Sequence, residues 1–186
     1  FNTASFMGGD DTLVLTRSSG LVELDGGAGS DTADFSALSG YTQYQAGPKT
    51  PTGAEIDLKA DTAYLKFVSG HFSWTNTFKL LNIENVIGTQ FADKIGGDDG
   101  DNTLSGLAGN DEINGYGGND VVDGGEGNDH IYGGDGNDAV GGNGGNDEVY
   151  GGAGRDTVVG GGGNDYLWGD ADDDVVLGDD GDDVAD

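Results

Sequence analysis

GGEGNDHIY, residues 124–132, is the clearest copy of a nine-residue frame that runs without a break from Gly88 to Asp186. Eleven frames fill that stretch. The first position is Gly in all eleven, and the eighth is apolar in all eleven: Ile95, Leu104, Ile113, Val122, Ile131, Val140, Val149, Val158, Leu167, Val176 and Ala185. The sixth is Asp in ten, with Asn102 as the exception. So strict a period marks a repeat architecture, in which each unit buries its apolar residue only by stacking on its neighbours.

Within a frame, six turn-forming residues precede three that alternate, as in Ala139-Val140-Gly141, where only the middle one is apolar. Three residues make a short strand with its central side chain inward. Glycine supplies positive φ in the turn, and Asn at the fifth position (Asn110, Asn119, Asn128, Asn137, Asn146, Asn164) is expected to adopt the same left-handed conformation. Two frames then make one coil of eighteen residues. Coils stacked at the strand spacing of roughly 4.8 Å give an all-β fold, a flattened right-handed parallel β-roll. Residues eighteen apart sit above one another, so the sixth-position residues form two columns. One runs Asp93, Asp111, Asp129, Asp147, Asp165, Asp183; the other runs Asn102, Asp120, Asp138, Asp156, Asp174.

Charge follows the repeat. The whole chain carries −28, of which residues 88–186 hold −23, with Lys94 and Arg155 as their only basic residues. This excludes nucleic acid and anionic membrane as partners, because both need basic patches. Stacked carboxylates about 5 Å apart repel by roughly 3 kcal/mol at an effective dielectric near 20, unless a cation lies between them. The chain should therefore be disordered without a cation and folded with one. The donors are all oxygens, carboxylates and the carbonyls of glycine turns, which suits Ca²⁺ better than Mg²⁺. Zinc or copper would need His or Cys, and the chain has no Cys and only His71 and His130.

The frame GGxGxDxUx, with U a large aliphatic, resembles the nonapeptide of RTX proteins. That resemblance implies a calcium-bound parallel β-roll in a secreted bacterial protein, exported unfolded by a type I system and folded by external Ca²⁺. It further implies one ion between each turn and the turn eighteen residues on. The upper turn gives the carbonyls of positions one and three and its Asp; the lower gives the carbonyls of positions two and four and its Asp. Carried onto this chain, Gly106, Ala108 and Asp111 meet Gly125, Gly127 and Asp129, while Gly115, Gly117 and Asp120 meet Gly134, Gly136 and Asp138. Next, Gly124, Glu126 and Asp129 meet Asn143, Gly145 and Asp147, and Gly133, Asp135 and Asp138 meet Gly152, Gly154 and Asp156. Gly142, Gly144 and Asp147 meet Gly161, Gly163 and Asp165. Gly151, Ala153 and Asp156 face Asp174, and Gly160, Gly162 and Asp165 face Asp183.

These are seven ions, which would bring the segment from −23 to about −9. Two further pairings depart from the pattern. Asn102 with Asp120 lacks a charge, and Asp93 with Asp111 begins in GTQFAD, where Phe91 replaces the fourth-position Gly; counting them gives nine. Asp172 also stands in that position and is expected to distort one turn.

Residues 1–87 use the same vocabulary less regularly and read as opening coils or an N-terminal cap, with residues 88–186 as the regular roll. A separate small β-domain is the alternative. GGAGSDTAD (residues 26–34) is a near-perfect frame and FMGGDDTLV (residues 6–14) a degenerate one. Asp11 and Asp31, twenty residues apart, offer a tenth site. Strands are expected at residues 55–59, 63–68 and 78–87, with excursions at residues 39–51 and around residues 69–77. Phe1, Phe6, Phe35, Phe67, Phe72, Trp74, Phe78 and Phe91 are expected to cover the end of a roll whose own core is thin.

Tyr132, Tyr150 and Trp168 share the ninth position and should form an exposed column beside His130, Glu148 and Tyr166. It reads as cross-strand stacking or as a surface for glycans or proteins. The other sheet exposes Val121, Val159, Val175 and Leu177. No HExxH and no nucleophile–base pair stands out, so no catalytic role is expected. Asp170 to Asp174 resembles a calcium-binding helix–loop–helix only superficially, since Val175 occupies the required Gly position, and the GxGxxG matches open no helix. No apolar run reaches the length of a membrane span. Beginning at Phe1 without a signal-like segment, the chain reads as part of a longer secreted polypeptide or as one exported by a route that needs no N-terminal signal, and the uncapped strand at Asp186 is expected to continue or to associate end to end with another roll. A module of this kind serves the secretion, folding and stability of that polypeptide. The alternatives are an adhesion or glycan-binding module, or an appendage of a secreted protease, lipase or polysaccharide-modifying enzyme.

Overall fold

The computed structural model describes residues 2–5, 8–14, 22–37, 50–60, 62–69 and 72–186. Every regular element among them is a strand. The first ten are β1 (Asn2–Ser5), β2 (Thr12–Val14), β3 (Val22–Asp25), β4 (Thr32–Asp34), β5 (Thr50–Asp57), β6 (Thr62–Ser69), β7 (Phe72–Leu81), β8 (Asn85–Ile87), β9 (Lys94–Gly96) and β10 (Thr103–Ser105). The regular array continues with β11 (Glu112–Gly117), β12 (Val121–Glu126), β13 (His130–Asp135), β14 (Ala139–Gly144), β15 (Glu148–Ala153), β16 (Thr157–Gly162), β17 (Tyr166–Ala171), β18 (Val175–Asp180) and β19 (Val184–Ala185).

Alternate strands of the array fall into two parallel sheets. Odd strands from β9 to β19 stack on one face and even strands from β8 to β18 on the other. Register follows the eighteen-residue coil, pairing Ile113 with Ile131, Val140 with Val158 and Tyr150 with Trp168. This is the parallel β-roll expected from the period.

Strand length differs from the three residues expected. Strands β11 to β18 each span six residues, from the seventh position of one frame to the third of the next. The ladder skips the first-position glycine, so Asn114 pairs with Tyr132 and then Tyr116 with Gly134. Pairing resumes past this corner because the backbone amides there still need acceptors.

The core is one column per face of eighth-position side chains, from Ile95 to Leu167, each at most 3% exposed. It continues into the opening residues. Leu13 pairs with Ala33, Ala33 with Val86 and Val86 with Leu104 in one sheet. In the other, Leu24 pairs with Leu80 and Ile56 with Ile95. All of these are buried.

Within this second sheet β5, β6 and β7 form an antiparallel meander between β3 and β9, with β7 parallel to β3 and β5 parallel to β9. Much of the excursion expected around residues 69–77 is therefore strand. So are Thr50 and Pro51, while residues 39–49 lie outside the described residues. The strand expected at 78–87 breaks at Asn82, whose φ of 51° turns the chain from one sheet to the other. Lys59 follows the end of β5 in a turn. Of the expected aromatic cover, Phe35 is fully buried and Phe91 half-buried; Phe1, Phe6 and the side chains of Phe67, Phe72, Trp74 and Phe78 lie outside the described residues.

Candidate metal centre

Each sixth-position carboxylate sits at the corner where the chain crosses between sheets, and one of its oxygens is tied to the coil before it. Oδ1 of Asp129 accepts the backbone N–H of Asp111 at 2.8 Å, and Oδ1 of Asp147 accepts that of Asp129 at 2.8 Å. The same bond joins Asp147 to Asp165 and Asp165 to Asp183. The second column repeats it through Asn102, Asp120, Asp138, Asp156 and Asp174. A buried amide is thereby satisfied and each carboxylate is fixed in position.

The other oxygen has no such partner. Oδ2 of Asp31, Asp111, Asp120, Asp129, Asp138, Asp147, Asp156 and Asp165 is buried without a hydrogen-bond donor. An ionised oxygen left so would cost several kcal/mol in an apolar setting. In the array burial is the leading cause that raises Asp111 to about 7 and Asp120 and Asp147 to about 6, with neighbouring carboxylates adding to the shift. Asp129, Asp138, Asp156 and Asp165 move in the same direction for the same first cause.

The invariant first-position glycine borders this oxygen. A Cβ on Gly133 would lie 2.6 Å from Oδ2 of Asp138 and 2.5 Å from the carbonyl oxygen of Gly151. One on Gly151 would lie 2.6 Å from Oδ2 of Asp156 and 2.8 Å from the carbonyl of Gly169. Each coil thus leaves a small cradle that any side chain would fill, lined by an orphaned carboxylate oxygen and a carbonyl. Positive φ is needed elsewhere, at the second and fourth positions, as at Gly125 (102°) and Gly127 (142°).

Other carbonyls also face the gap between turns. Those of Leu107 and Gly109 crowd the places where Cβ atoms of Gly125 and Gly127 would be. From the lower turn, the carbonyl of Glu126 accepts the N–H of Gly109 at 2.8 Å, and that of Gly144 accepts the N–H of Gly127 at 2.6 Å. Positions two and four therefore face the gap from the upper turn and positions one and three from the lower, the reverse of the order the resemblance implies. Leu107 and Gly109, whose carbonyls face this gap, were not among the residues the sequence named for it. Among the described residues no three His, Cys, Asp or Glu cluster together. A cation here would be held by two carboxylates and a set of carbonyls, an all-oxygen shell that fits Ca²⁺.

Several rungs differ. Both oxygens of Asp93 are already engaged, by the N–H of Ala54 at 2.5 Å and by the N–H and hydroxyl of Thr89 at 2.6 and 2.9 Å. The Asn102 amide donates to the carbonyl of Glu84 at 2.9 Å and accepts the N–H of Asp98 at 2.8 Å. Asp172 keeps the left-handed turn at a φ of 86°. Beside it the bond from Gly154 N–H to Ala171 O stretches to 3.3 Å, where equivalent bonds at Gly136 and Gly145 are 2.7 and 2.8 Å.

In the opening coils Oδ1 of Asp31 accepts the N–H of Asp11 at 2.8 Å, and Glu84 accepts that of Asp31 through Oε2 at 2.8 Å. Glu84 therefore occupies the rung below Asp31, a role the sequence reading missed. Its signal was present: it lies eighteen residues before Asn102, and Val86 follows in the apolar eighth position.

Fifth-position asparagines do not adopt positive φ. Their side chains build a second ladder instead. Oδ1 of Asn110 accepts the N–H of Asn128 at 3.0 Å, Asn128 that of Asn146 at 2.8 Å, and Asn146 that of Asn164 at 2.8 Å. The expected αL role falls to positions two and four, because a side-chain acceptor at position five satisfies an amide of the next coil.

On the outer face, the rings of Tyr132, Tyr150 and Trp168 stack at 4.8 and 4.5 Å with planes within 13° and 6°. Glu148 holds the Tyr150 hydroxyl at 2.6 Å and lies 3.1 Å from His130. Ring faces spent on one another are not open to a sugar, so this geometry favours cross-strand stabilisation. On the other sheet Val121, Val175 and Leu177 are exposed and Val159 is half-buried.

No curated protein matches the chain. The family model described as the RTX calcium-binding nonapeptide repeat matches in four copies, at residues 87–122, 96–130, 114–149 and 150–185, together more than half of the chain. With the roll, its rungs and its orphaned oxygens in place, the chain belongs to the RTX calcium-binding nonapeptide repeat family.

Proposed function

We propose that this chain is a non-catalytic module which folds when Ca²⁺ enters the gaps between its turns, after export from a cell whose interior holds too little Ca²⁺ to fold it. One observation carries the reading: buried carboxylate oxygens recur at eighteen-residue intervals with no donor to satisfy them. In the array each ion would bridge consecutive sixth-position aspartates, such as Asp111 and Asp129. Leu107 and Gly109 from above and Gly124 and Glu126 from below would supply carbonyls. Seven such gaps lie between Asp111 and Asp183, counting both columns.

Weak, extracellular-grade affinity would make folding follow Ca²⁺ concentration. Metal binding then supplies the free energy that one aliphatic residue per nine cannot. The module would serve the secretion, folding and stability of a longer polypeptide. Residues 1–87 are read as opening coils of the same roll, supported by strands β1 to β8 joining the sheets of the array. Far-ultraviolet circular dichroism tests the proposal: Ca²⁺ at millimolar levels should induce β-structure that a chelator removes. β-structure indifferent to the chelator would sink it.

A further inference from the structure

Asp31 lies far from the matched repeats in sequence, yet its surroundings repeat the cradle. It is fully buried, and its Oδ2 has no donor. A Cβ on Gly26 would lie 2.6 Å from that oxygen and would also collide with the carbonyl oxygen of Asn82. Gly26 is the first position of its frame, so Asn82 supplies here the carbonyl that a first-position glycine supplies in the array. Asn82 has a left-handed φ of 51° where the chain passes from β7 to β8. Glu84, two residues on, holds the Asp31 N–H with one carboxylate oxygen. On the far side of Glu84 no ion is required, since the Asn102 amide bonds directly to the Glu84 carbonyl.

We propose that Asp31, Glu84 and the Asn82 carbonyl hold a Ca²⁺ ion that closes the chain over the β5–β7 meander and fastens the opening coils to the array. The site rests on the calcium reading above but lies outside the matched repeats. Its two carboxylates are 53 residues apart, where those of the array are eighteen. An ion that clips so long a loop restricts the unfolded chain more than one joining adjacent coils, though the gain grows only slowly with loop length.

Bound calcium per chain, measured by atomic emission after equilibrium dialysis of the full chain at saturating Ca²⁺, tests this. Glu84→Gln and Asp31→Asn keep the hydrogen-bond acceptors and remove the charge. Each should bind one ion fewer than wild type with the calcium-induced β-signal intact, and Glu84→Asp should keep the full count. An unchanged count in Glu84→Gln would overturn the junction site while leaving the array reading standing. Loss of several ions together with the β-signal would also overturn it, by making Glu84 a structural support. A wild-type chain that binds no Ca²⁺ overturns the array reading and this site together.

Discussion

The opening coils and the regular array make the same rung from different sequence. In the array, a carboxylate eighteen residues on accepts the N–H of the Asp above it at 2.8 Å; in the opening coils the same 2.8 Å bond spans twenty residues from Asp11 to Asp31 and 53 from Asp31 to Glu84. The fourth-position contact is shared too, since the carbonyl of Gly9 meets Gly29 as that of Gly109 meets Gly127. What defines a rung is therefore the corner of the coil and the acid placed there. The spacing in sequence is only the shortest way to reach it.

Acid should have the largest effect, and the array carries it. In the metal-free array, burial raises Asp111 to about 7 and Asp120 and Asp147 to about 6, above the value near 3.9 of an unfolded chain. The folded state then binds more protons than the unfolded one between about pH 4 and 7, so its stability falls as pH rises through that window and is full below it. Metal-free protein should gain β-structure on acidification from pH 7.5 toward 4, followed by circular dichroism. With Ca²⁺ present the dependence inverts, because protons displace the ion. A metal-free protein whose signal is flat across the window would contradict this.

Core truncation asks whether the two regions fold as one. Ile131→Ala in the array and Ile56→Ala in the opening meander each remove a side chain at most 1% exposed and should cost about 2–5 kcal/mol. If the shared core column couples the regions, both variants shift a single calorimetric transition by similar amounts. A separate low-temperature transition appearing only in Ile56→Ala would split the molecule in two. The smallest effect belongs to the outer ladder. Asn128→Ala leaves the N–H of Asn146 to water and should cost about 0.5–1.5 kcal/mol in a calcium-loaded melt, with the calcium count unchanged.

Much of this was legible in the sequence because the array repeats each decision eleven times. The eighth-position column and the sixth-position acids follow from period alone. Glu84 was hidden because its frame, residues 79–87, begins with Lys79 in place of Gly and follows a long meander, so no neighbouring copy exposed its phase. Asn at position five was misread for a different reason. Its side chain suits both a left-handed turn and an amide acceptor, and only the next coil decides between them. The first-position glycine shows a related limit. Its presence was plain, but its cause, the close approach of Asp138 Oδ2 and Gly151 O to Gly133, depends on atoms five and eighteen residues away that only the folded coil brings together.

The unequal sheets have a consequence for shape. Strands β5 and β6 are inserted between β7 and β9 on one face, while on the opposite face β8 pairs directly with both β4 and β10. Two additional strands at about 4.8 Å each lengthen one side of the stack by roughly 10 Å with nothing to match on the other. The meander is thus a step in the column, two courses on one face that the opposite face must span with the single strand β8.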